Sequence, residues 1–257
     1  MESDAADRLA HVLWDAWRTG RTIQDLPAAL RPPTPAAGWL AQQRLADLAG
    51  PGYGWKIAAT SAAGQAHIGV DGPLPGRLCE RFRFSPGDVL PSRHLHMRVV
   101  EAEFVFRMGR DVPPDAGPDE VLEAVADLHL GVEVPDSRYV DFAASGGPAL
   151  LADLACAGMF VLGPRVDDWR GDDLPTWPTS LVVNGTVAAR GSGGAVLGDP
   201  RAALVWLAAE LVRLGTGLHA GDVVTTGTTT VPPAVAAGDT VRADFGAYGQ
   251  VDLSFAR

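Results

Sequence analysis

The chain has 257 residues, 47% of them hydrophobic and 20% charged, which is enough for one large domain, or a large and a small one, with a sizeable core. The 31 acidic residues outnumber the 21 basic ones and give a formal net charge of −10, which disfavours nucleic acids and anionic membranes as partners. The two cysteines, Cys79 and Cys156, are too few for a disulfide framework or a zinc cluster.

The first part of the chain is predicted to be helical. Residues 5–19 and 36–48 carry leucines at helical spacing, and the proline-rich residues 30–35 form a stiff connector between them. Acidic residues stand at the N-terminus, where a secretory signal needs basic ones. The longest apolar run, residues 149–163, contains Asp153 and is too short to cross a bilayer. We therefore expect a cytoplasmic protein without a membrane partner.

From Trp55 onward, short β-like runs follow one another, bounded by Gly, Pro and Asp. Asn184 and Gly185 predict a two-residue hairpin, because a type I′ turn needs positive φ at both positions. Two further helices are predicted, over residues 118–130 and over residues 200–214, the second with a good N-cap at Asp199. Strands are predicted at residues 55–58, 99–108, 130–134, 159–162, 181–183, 187–189, 223–226, 241–245 and 251–255.

This order of elements predicts an α+β protein. Regular alternation of strands and helices is absent, which argues against a doubly wound sheet. We divide the chain into a small N-terminal helical or α+β part, residues 1–62, and a β-rich catalytic body, residues 63–257.

Lysine occurs only once among the basic residues, at Lys56. An ammonium loses its proton when its pKa is lowered, whereas a guanidinium keeps it, so this single lysine is a candidate for chemistry. Trp55 and Ile57 share one face of the predicted strand, and Lys56 occupies the other. The alternative is an ordinary surface lysine that extends its charged end into water.

Three glutamates form a candidate metal site. Alternate residues of a strand share a face, so Glu101 and Glu103 lie together, and Glu133 stands on another β-like run. If these strands are neighbours, the carboxylates converge and suit Mg²⁺ or Mn²⁺, with positions left for a chelating α-keto acid. An amine near such an ion would have a lowered pKa and would suit a proton shuttle. The alternative for Glu101 and Glu103 is a solvent-exposed polar face.

Four motifs in this order resemble the 2-keto-4-pentenoate hydratase / 4-oxalocrotonate decarboxylase family of the fumarylacetoacetate hydrolase superfamily. The resemblance runs over nearly the whole chain, from the Arg-Thr-Gly-Arg stretch at residues 18–21 of the first helix. The motifs are Gly-Trp-Lys-Ile-Ala-Ala-Thr-Ser at residues 54–61, Glu-Ala-Glu at 101–103 with Gly-Arg-Asp at 109–111, Glu-Val-Pro-Asp-Ser-Arg at 133–138, and Leu-His-Ala-Gly-Asp-Val-Val-Thr-Thr-Gly-Thr at 218–228.

The resemblance implies a fold, a metal and an assembly. The body would be a mixed, barrel-like β-roll of the fumarylacetoacetate hydrolase C-terminal type. Mg²⁺ or Mn²⁺ would be held by Glu101, Glu103 and Glu133, and Lys56 would be catalytic. The protein would be a homo-oligomer.

The sequence departs from the family at one position. After the lysine strand the family shows Pro-Asp-Tyr-Gly or similar, with a catalytic Asp, and Leu74 stands at the place of that Asp. Asp71 lies three residues earlier and is the candidate for the second catalytic residue. His67 is the other titratable group nearby. This departure leaves the second proton-transfer residue open.

Substrate contacts are expected at five positions in or beside these motifs. Arg138 would hold a substrate carboxylate bidentately, with pairing to Asp136 or Asp141 as the alternative. Thr228 would contact a carboxylate or phosphate, with ordinary turn chemistry as the alternative. The set is Thr60, Ser61, His67, Arg138 and Thr228.

These residues predict a metal-dependent lyase. A hydratase would chelate a 2-hydroxy-2,4-dienoate or 2-keto-4-enoate through its carboxylate and C2 oxygen, Lys56 would move a proton, and water would add at the distal carbon. A decarboxylase of a 4-oxalocrotonate-type 2-oxo-enedioate would use the same metal-chelated dienolate. Two further alternatives are an acylpyruvate hydrolase, which needs a base such as His11 or His67 to activate water, and a non-catalytic binding protein, which Leu74 favours.

Overall fold

The N-terminal segment forms a pair of packed helices in a computed structural model that describes residues 3–257. Helix α1 spans Ser3–Thr19 and helix α2 spans Pro35–Ala49. The Thr34 side chain accepts a hydrogen bond from the Ala37 amide and so caps the start of α2. Both predicted N-terminal helices are confirmed. The buried face of α1 consists of Ala6, Leu9, Ala10, Leu13 and Ala16.

Residues 3–257 contain four further α-helices, which are short or lie between strands. They are α3 (Ala62–Ile68), α4 (Pro118–Glu123), α5 (Gly147–Ala152) and α6 (Pro200–Arg213). Asp199 caps α6 as predicted, because its carboxylate accepts a hydrogen bond from the Arg201 amide. None of the helices described within residues 3–257 has the length and apolar character needed to cross a membrane.

Within residues 3–257, twelve strands form two sheets. They are β1 (Gly52–Ala58), β2 (Leu74–Cys79), β3 (Arg83–Phe84), β4 (Val89–Leu90), β5 (Glu101–Met108), β6 (Val125–Val134), β7 (Met159–Val166), β8 (Pro178–Val183), β9 (Thr186–Ser192), β10 (Val223–Thr225), β11 (Thr240–Asp244) and β12 (Gln250–Phe255).

The seven-stranded sheet has the order β2-β1-β10-β5-β6-β7-β3, and the five-stranded sheet has the order β4-β12-β11-β8-β9. The main core contains side chains of both sheets and of α6. Phe104 of β5 meets Phe245, just after β11, edge to face with ring centres 5.5 Å apart. One face of the large sheet thus packs in the main core, and the side chains of its opposite face are not part of that packing. The mixture of helices and strands confirms the predicted α+β class.

The β8–β9 hairpin turns at the two residues that the sequence marks for it. Asn184 and Gly185 have φ angles of 50° and 79°, and Val183 pairs with Thr186 across the turn. Positive φ at both positions is the property that Asn-Gly supplies at small steric cost.

The prediction of one helix over residues 118–130 is wrong. Helix α4 ends at Glu123, and Val125 begins the long strand β6. The apolar spacing in this region fits a helix locally, but β6 gains hydrogen-bonded neighbours on both sides, β5 and β7, and tertiary pairing overrides the local pattern. The helices α3 and α5 and the strands β2 and β3 lie outside the predicted elements.

The helices α1 and α2 form a second apolar cluster with α5 and the turn that follows it. Leu9, Leu13, Leu45, Leu150 and Leu154 are all fully buried there. Strand β1, which belongs to residues 1–62, lies between β2 and β10 in the large sheet. The division of the chain at residue 62 stays a prediction.

Gly54 provides a test of how closely β1 and β10 approach. A Cβ at Gly54 would lie 1.9 Å from the Val223 carbonyl oxygen, whereas a Cβ at Gly72 would meet nothing within 4 Å. We expect Gly54→Ala to lower the free energy of unfolding by about 1–3 kcal/mol, since backbone must move, and Gly72→Ala to change it by less than about 0.5 kcal/mol. Urea unfolding measures both, and equal midpoints for the two variants would contradict this packing.

Candidate active site

Three glutamates converge on the face of the large sheet that lies opposite the main core. Strands β5 and β6 are antiparallel neighbours, with Glu101 directly opposite Glu133 and Glu103 opposite Gly131. The condition for convergence, that these two strands are neighbours, is therefore met. One oxygen from each glutamate lies within 4.8 Å of the others. At Gly131 a Cβ would lie 2.5 Å from the Phe160 ring, so glycine is needed where β6 passes Glu103.

The carboxylates are withdrawn from water and only partly satisfied. Glu103 is fully buried, Glu133 is 1% exposed and Glu101 is half-buried. Glu103 Oε2 accepts hydrogen bonds from Thr225 Oγ1 and from the Gly227 amide, the latter at 2.7 Å. Within the described residues, Glu103 Oε1 and Glu133 Oε2 have no hydrogen-bond partner. Buried ionised oxygens without partners are unfavourable, and a cation would satisfy them.

Burial and repulsion between charges raise the pKa of Glu101 and of Glu103. Burial, with the charge of Glu133 added to it, raises the pKa of Glu101 to about 7. Burial also raises the pKa of Glu103, and the charges of Glu133 and Glu101 add to this shift. A set of three carboxylates with no thiolate or imidazole is typical of a site for a hard divalent cation. The residues present therefore fit a divalent metal, and protons compete with it.

Lys56 lies at the same cluster, although its strand is not adjacent to β5. Strand β10 separates them, with Thr225 paired to Lys56 on one side and to Val105 on the other. Lys56 Nζ is 3.1 Å from Glu133 Oε1 and donates to the Ala155 carbonyl, also at 3.1 Å. Only 3% of Lys56 is exposed, which excludes the surface alternative.

The pKa of Lys56 reflects two opposed effects. Burial lowers it, but the negative charges of Glu133 and Glu101 outweigh burial, and the net shift is upward. The amine therefore carries its proton in the protein without an ion. The lowered pKa of Lys56 that the sequence predicts applies to the site with a bound cation. The raised pKa applies to the site without one.

Arg138 is bound within the protein. Its guanidinium forms a buried ion pair with Asp153 and donates to the Ala157 carbonyl at 3.0 Å. The alternative that Arg138 pairs with Asp136 or Asp141 is wrong: Asp136 accepts backbone hydrogen bonds, from the His96 and Met97 amides. These internal partners favour a structural role for Arg138 over the expected contact with a substrate carboxylate.

Two of the expected substrate contacts lie in loops at the ends of β1 and β10. Thr60 is buried beside Gly227, where a Cβ would lie 2.0 Å from Thr60 Oγ1. Thr228 follows Gly227, and its hydroxyl donates to the Thr230 carbonyl at 2.9 Å, which is ordinary turn chemistry. Since the Gly227 amide binds Glu103, both threonines lie close to the carboxylates, and their substrate contacts stay predictions.

The three remaining predicted residues belong to α3 and the bend after it. Ser61 caps α3 by accepting from the Gly64 amide at 3.1 Å, and His67 is exposed near its end, edge-on to Phe142. Asp71 is exposed between α3 and β2. Leu74 opens β2 opposite Ala58, on the face that Gly76 and Lys56 share. The catalytic role of Asp71 stays a prediction.

Sequence reasoning missed four residues of this site. Thr225 and Gly227 bind Glu103, and Ala155 binds Lys56. Asp153 was noted only as an interruption of an apolar run. A lone carboxylate in such a run is itself a signal, because a buried charge needs an oppositely charged partner.

Most of the chain matches the model of a known sequence family. Residues 79–255 match the model of the fumarylacetoacetate (FAA) hydrolase C-terminal family. A 2-keto-4-pentenoate hydratase of Burkholderia vietnamiensis is 37% identical over 203 residues, covering 79% of this chain and 77% of that protein. The chain belongs to the FAA hydrolase C-terminal family. A second 2-keto-4-pentenoate hydratase, of Paraburkholderia xenovorans, is 32% identical over 99% of this chain and 96% of its own length.

A solved member of this family has the same fold. The 4-oxalocrotonate decarboxylase of Pseudomonas putida G7, complexed with magnesium and adipate, superimposes with a TM-score of 0.92. It is 28% identical, and the match covers 99% of this chain and 98% of that one. The mixed β-roll that the sequence resemblance implies is therefore confirmed as the fold of this FAA hydrolase family member.

Cation binding can be read from thermal stability. We expect Mg²⁺ at about 100-fold its Kd to stabilise the protein by about 2.7 kcal/mol, and Glu103→Gln to abolish this gain, because it removes a charged ligand from the cluster. Without Mg²⁺ the variant should be at least as stable as the original protein, since one repelling charge is gone. Thermal unfolding with and without Mg²⁺ measures both effects.

Glu123→Gln is the matched control for this experiment. Glu123 is exposed and lies at the end of α4, 3.6 Å from Arg110, so its variant should keep the full Mg²⁺ effect. An unchanged Mg²⁺ effect in Glu103→Gln would remove this glutamate from the metal site.

The raised carboxyl pKa values predict a pH dependence of the metal-free protein. Because the pKa of Glu101 in the folded protein is about 7, above its ordinary value, the folded state binds more protons than the unfolded state between these values. This contribution to stability is present at low pH and is lost as the pH rises through about 7. Unfolding free energies over this range, with Glu101→Gln as the comparison, measure it; an identical pH profile in the variant would contradict the assignment.

Proposed function

We propose that the chain is a Mg²⁺- or Mn²⁺-dependent hydratase of a 2-hydroxy-2,4-dienoate or its keto form, a 2-keto-4-enoate. The observation that carries the proposal is the buried carboxylate cluster with Lys56 Nζ 3.1 Å from Glu133 Oε1. The two hydratase relatives, at 37% and 32% identity, support this activity. Because named relatives are enzymes, they also speak against the non-catalytic alternative.

The three glutamates would hold the ion. Glu101 and Glu133 face each other across paired strands, and Glu103 is fixed by Thr225 and Gly227. When bound, Mg²⁺ or Mn²⁺ supplies a Lewis acid that stabilises negative charge on the enol oxygen of a chelating keto acid. Unpartnered carboxylate oxygens at this point support that role.

Lys56 would move the proton. Its amine is protonated and held between Glu133 and the Ala155 carbonyl, so the third hydrogen of the ammonium is free for a substrate atom. Transfer of this proton to the carbon chain, with loss of the enol hydroxyl proton to a second group, would give the conjugated keto acid, to which water adds at the distal carbon. A positioned acid or base contributes about 10²–10⁴-fold to such a rate. Asp71 and His67 remain the candidates for the second proton transfer.

Decarboxylation of a 4-oxalocrotonate-type acid is the second candidate. The structural match to 4-oxalocrotonate decarboxylase, with a TM-score of 0.92, favours it. The acylpyruvate hydrolase alternative has less support, because His11 is exposed on α1 and its Nδ1 contacts the Asp7 carbonyl oxygen at 2.8 Å.

Substitution of Lys56 tests the proposed chemistry. We expect Lys56→Arg to keep the charge beside Glu133 and the stabilisation by Mg²⁺, and to lower kcat by about 10²–10⁴-fold, because a guanidinium does not release its proton. Loss of ultraviolet absorbance by 2-hydroxypenta-2,4-dienoate measures hydration, and CO₂ release from 4-oxalocrotonate measures the second candidate.

Arg83→Lys is the control for this experiment, because Arg83 is an exposed residue paired with Glu80, and its variant should keep full activity. Near-normal turnover by Lys56→Arg would exclude a proton-transfer role. Turnover of 4-oxalocrotonate alone by the original protein would replace the hydratase proposal with the decarboxylase.

We also infer a homo-oligomer from the family resemblance. Val231 and Val89 are 81% and 62% exposed, and exposed apolar side chains are compatible with contacts between copies. Sedimentation velocity measures the assembly directly.

A further inference from the structure

The turn after α5 has an unusual backbone. Leu154, Ala155 and Cys156 have φ angles of 52°, 50° and 60°, and none of them is glycine. L-residues with a side chain avoid this region, and they remain in it only where the surrounding structure holds them there. We call residues 154–156 the left-handed turn.

The left-handed turn is fastened to the segment that follows β6. Asp153, directly before it, is fully buried and accepts hydrogen bonds from Ser137 Oγ at 2.8 Å and from the Arg138 amide at 3.0 Å. The Arg138 guanidinium pairs with the Asp153 carboxylate. The Cys156 carbonyl accepts from the Asp136 amide at 3.0 Å. Both ends of the turn are thus tied to residues 136–138, the segment directly after the strand that carries Glu133.

The opposite side of the turn rests on β1 and β2. Gly76 pairs with Lys56 in the sheet, and a Cβ at Gly76 would lie 2.0 Å from the Leu154 carbonyl oxygen and 3.1 Å from Lys56 Cδ. This close approach brings the Ala155 carbonyl within 3.1 Å of Lys56 Nζ. The left-handed turn therefore occupies the space between the lysine strand and the segment after β6.

Helix α1 packs against the Arg138 side chain of this ion pair through Trp17. The guanidinium carbon of Arg138 lies 4.0 Å from the centre of the Trp17 ring, and Arg138 is 2% exposed. A stacked guanidinium with internal acceptors has few ways to move. The N-terminal helix thus contributes to holding the ion pair.

We propose that Asp153 and Arg138 are positioning residues that hold the left-handed turn, and through the Ala155 carbonyl the Lys56 amine, in its reactive orientation. This proposal rests on the proposed function of Lys56. The lysine side chain is flexible, and Glu133 alone would leave its amine free to rotate. Glu103 is held independently of the turn, because Thr225 and Gly227 fix it, and the pairing of β5 with β6 sets the backbone positions of Glu101 and Glu133.

The main test removes both charges with Asp153→Asn together with Arg138→Gln, which avoids leaving one buried charge unpaired. We expect kcat to fall about 10- to 100-fold, with KM and the stabilisation by Mg²⁺ changed less than about threefold. A merely structural role would lower kcat and the stabilisation by Mg²⁺ and raise KM together. The control is Asp127→Asn with Arg107→Gln, a partly exposed ion pair between β6 and β5, the strands that carry the glutamates, which should leave kcat unchanged.

A second readout needs neither substrate nor metal. Since Lys56 is the only lysine, protein made with ¹³Cε-lysine gives one NMR signal from this side chain. We expect this signal to shift in the Asp153→Asn/Arg138→Gln protein and to stay in place in the control. Gly76→Ala displaces the turn without removing a charge. We expect this variant also to shift the lysine signal and to lower kcat. It replaces the double variant in this test if the double variant does not fold.

An unmoved lysine signal with an unchanged kcat in either variant would overturn the proposal, and so would a fall in kcat matched by an equal loss of the Mg²⁺ effect. A shifted signal in a protein that turns over neither dienoate nor 4-oxalocrotonate would uphold the positioning and reject the proposed function.

Discussion

The structure depends on the burial of three carboxylates and one ammonium at a single point of a β-sheet. Glu101, Glu103 and Glu133 repel each other, and burial raises the pKa of the first two. Lys56 supplies one positive charge, yet among residues 3–257 some of the carboxylate oxygens find no hydrogen-bond partner. Such a cluster is unfavourable as a mere structural element. The proposed divalent-cation site would account for such a cluster beside an amine.

The register of the paired strands in the large sheet brings these charged side chains together. Glu101 and Glu133 are directly opposed on paired strands. Strand β10, between β1 and β5, supplies Thr225 to Glu103, and the loop after β10 supplies the Gly227 amide. The other face of the same strands is apolar and packs in the main core. Alternation along the strands thus separates the chemistry from the packing that holds it in place.

Local patterns identified elements whose geometry depends on neighbouring residues alone. Asn184 and Gly185 form the predicted hairpin turn because their conformational preferences require no partner. The same kind of reasoning failed at residues 118–130, where Val125 begins a strand. There the decisive interactions are hydrogen bonds to β5 and β7, whose presence no local spacing reveals.

The sequence by itself determined the class of the protein, the three glutamates and the single lysine, because residue type and strand alternation are local properties. Only the tertiary structure decided how these groups meet. Lys56 and Ala155 are 99 positions apart, and Arg138 binds Asp153 in place of the acidic neighbours Asp136 and Asp141. The physical reason is that a buried charge takes the partner that the packed backbone brings to it, and sequence distance has no part in that choice.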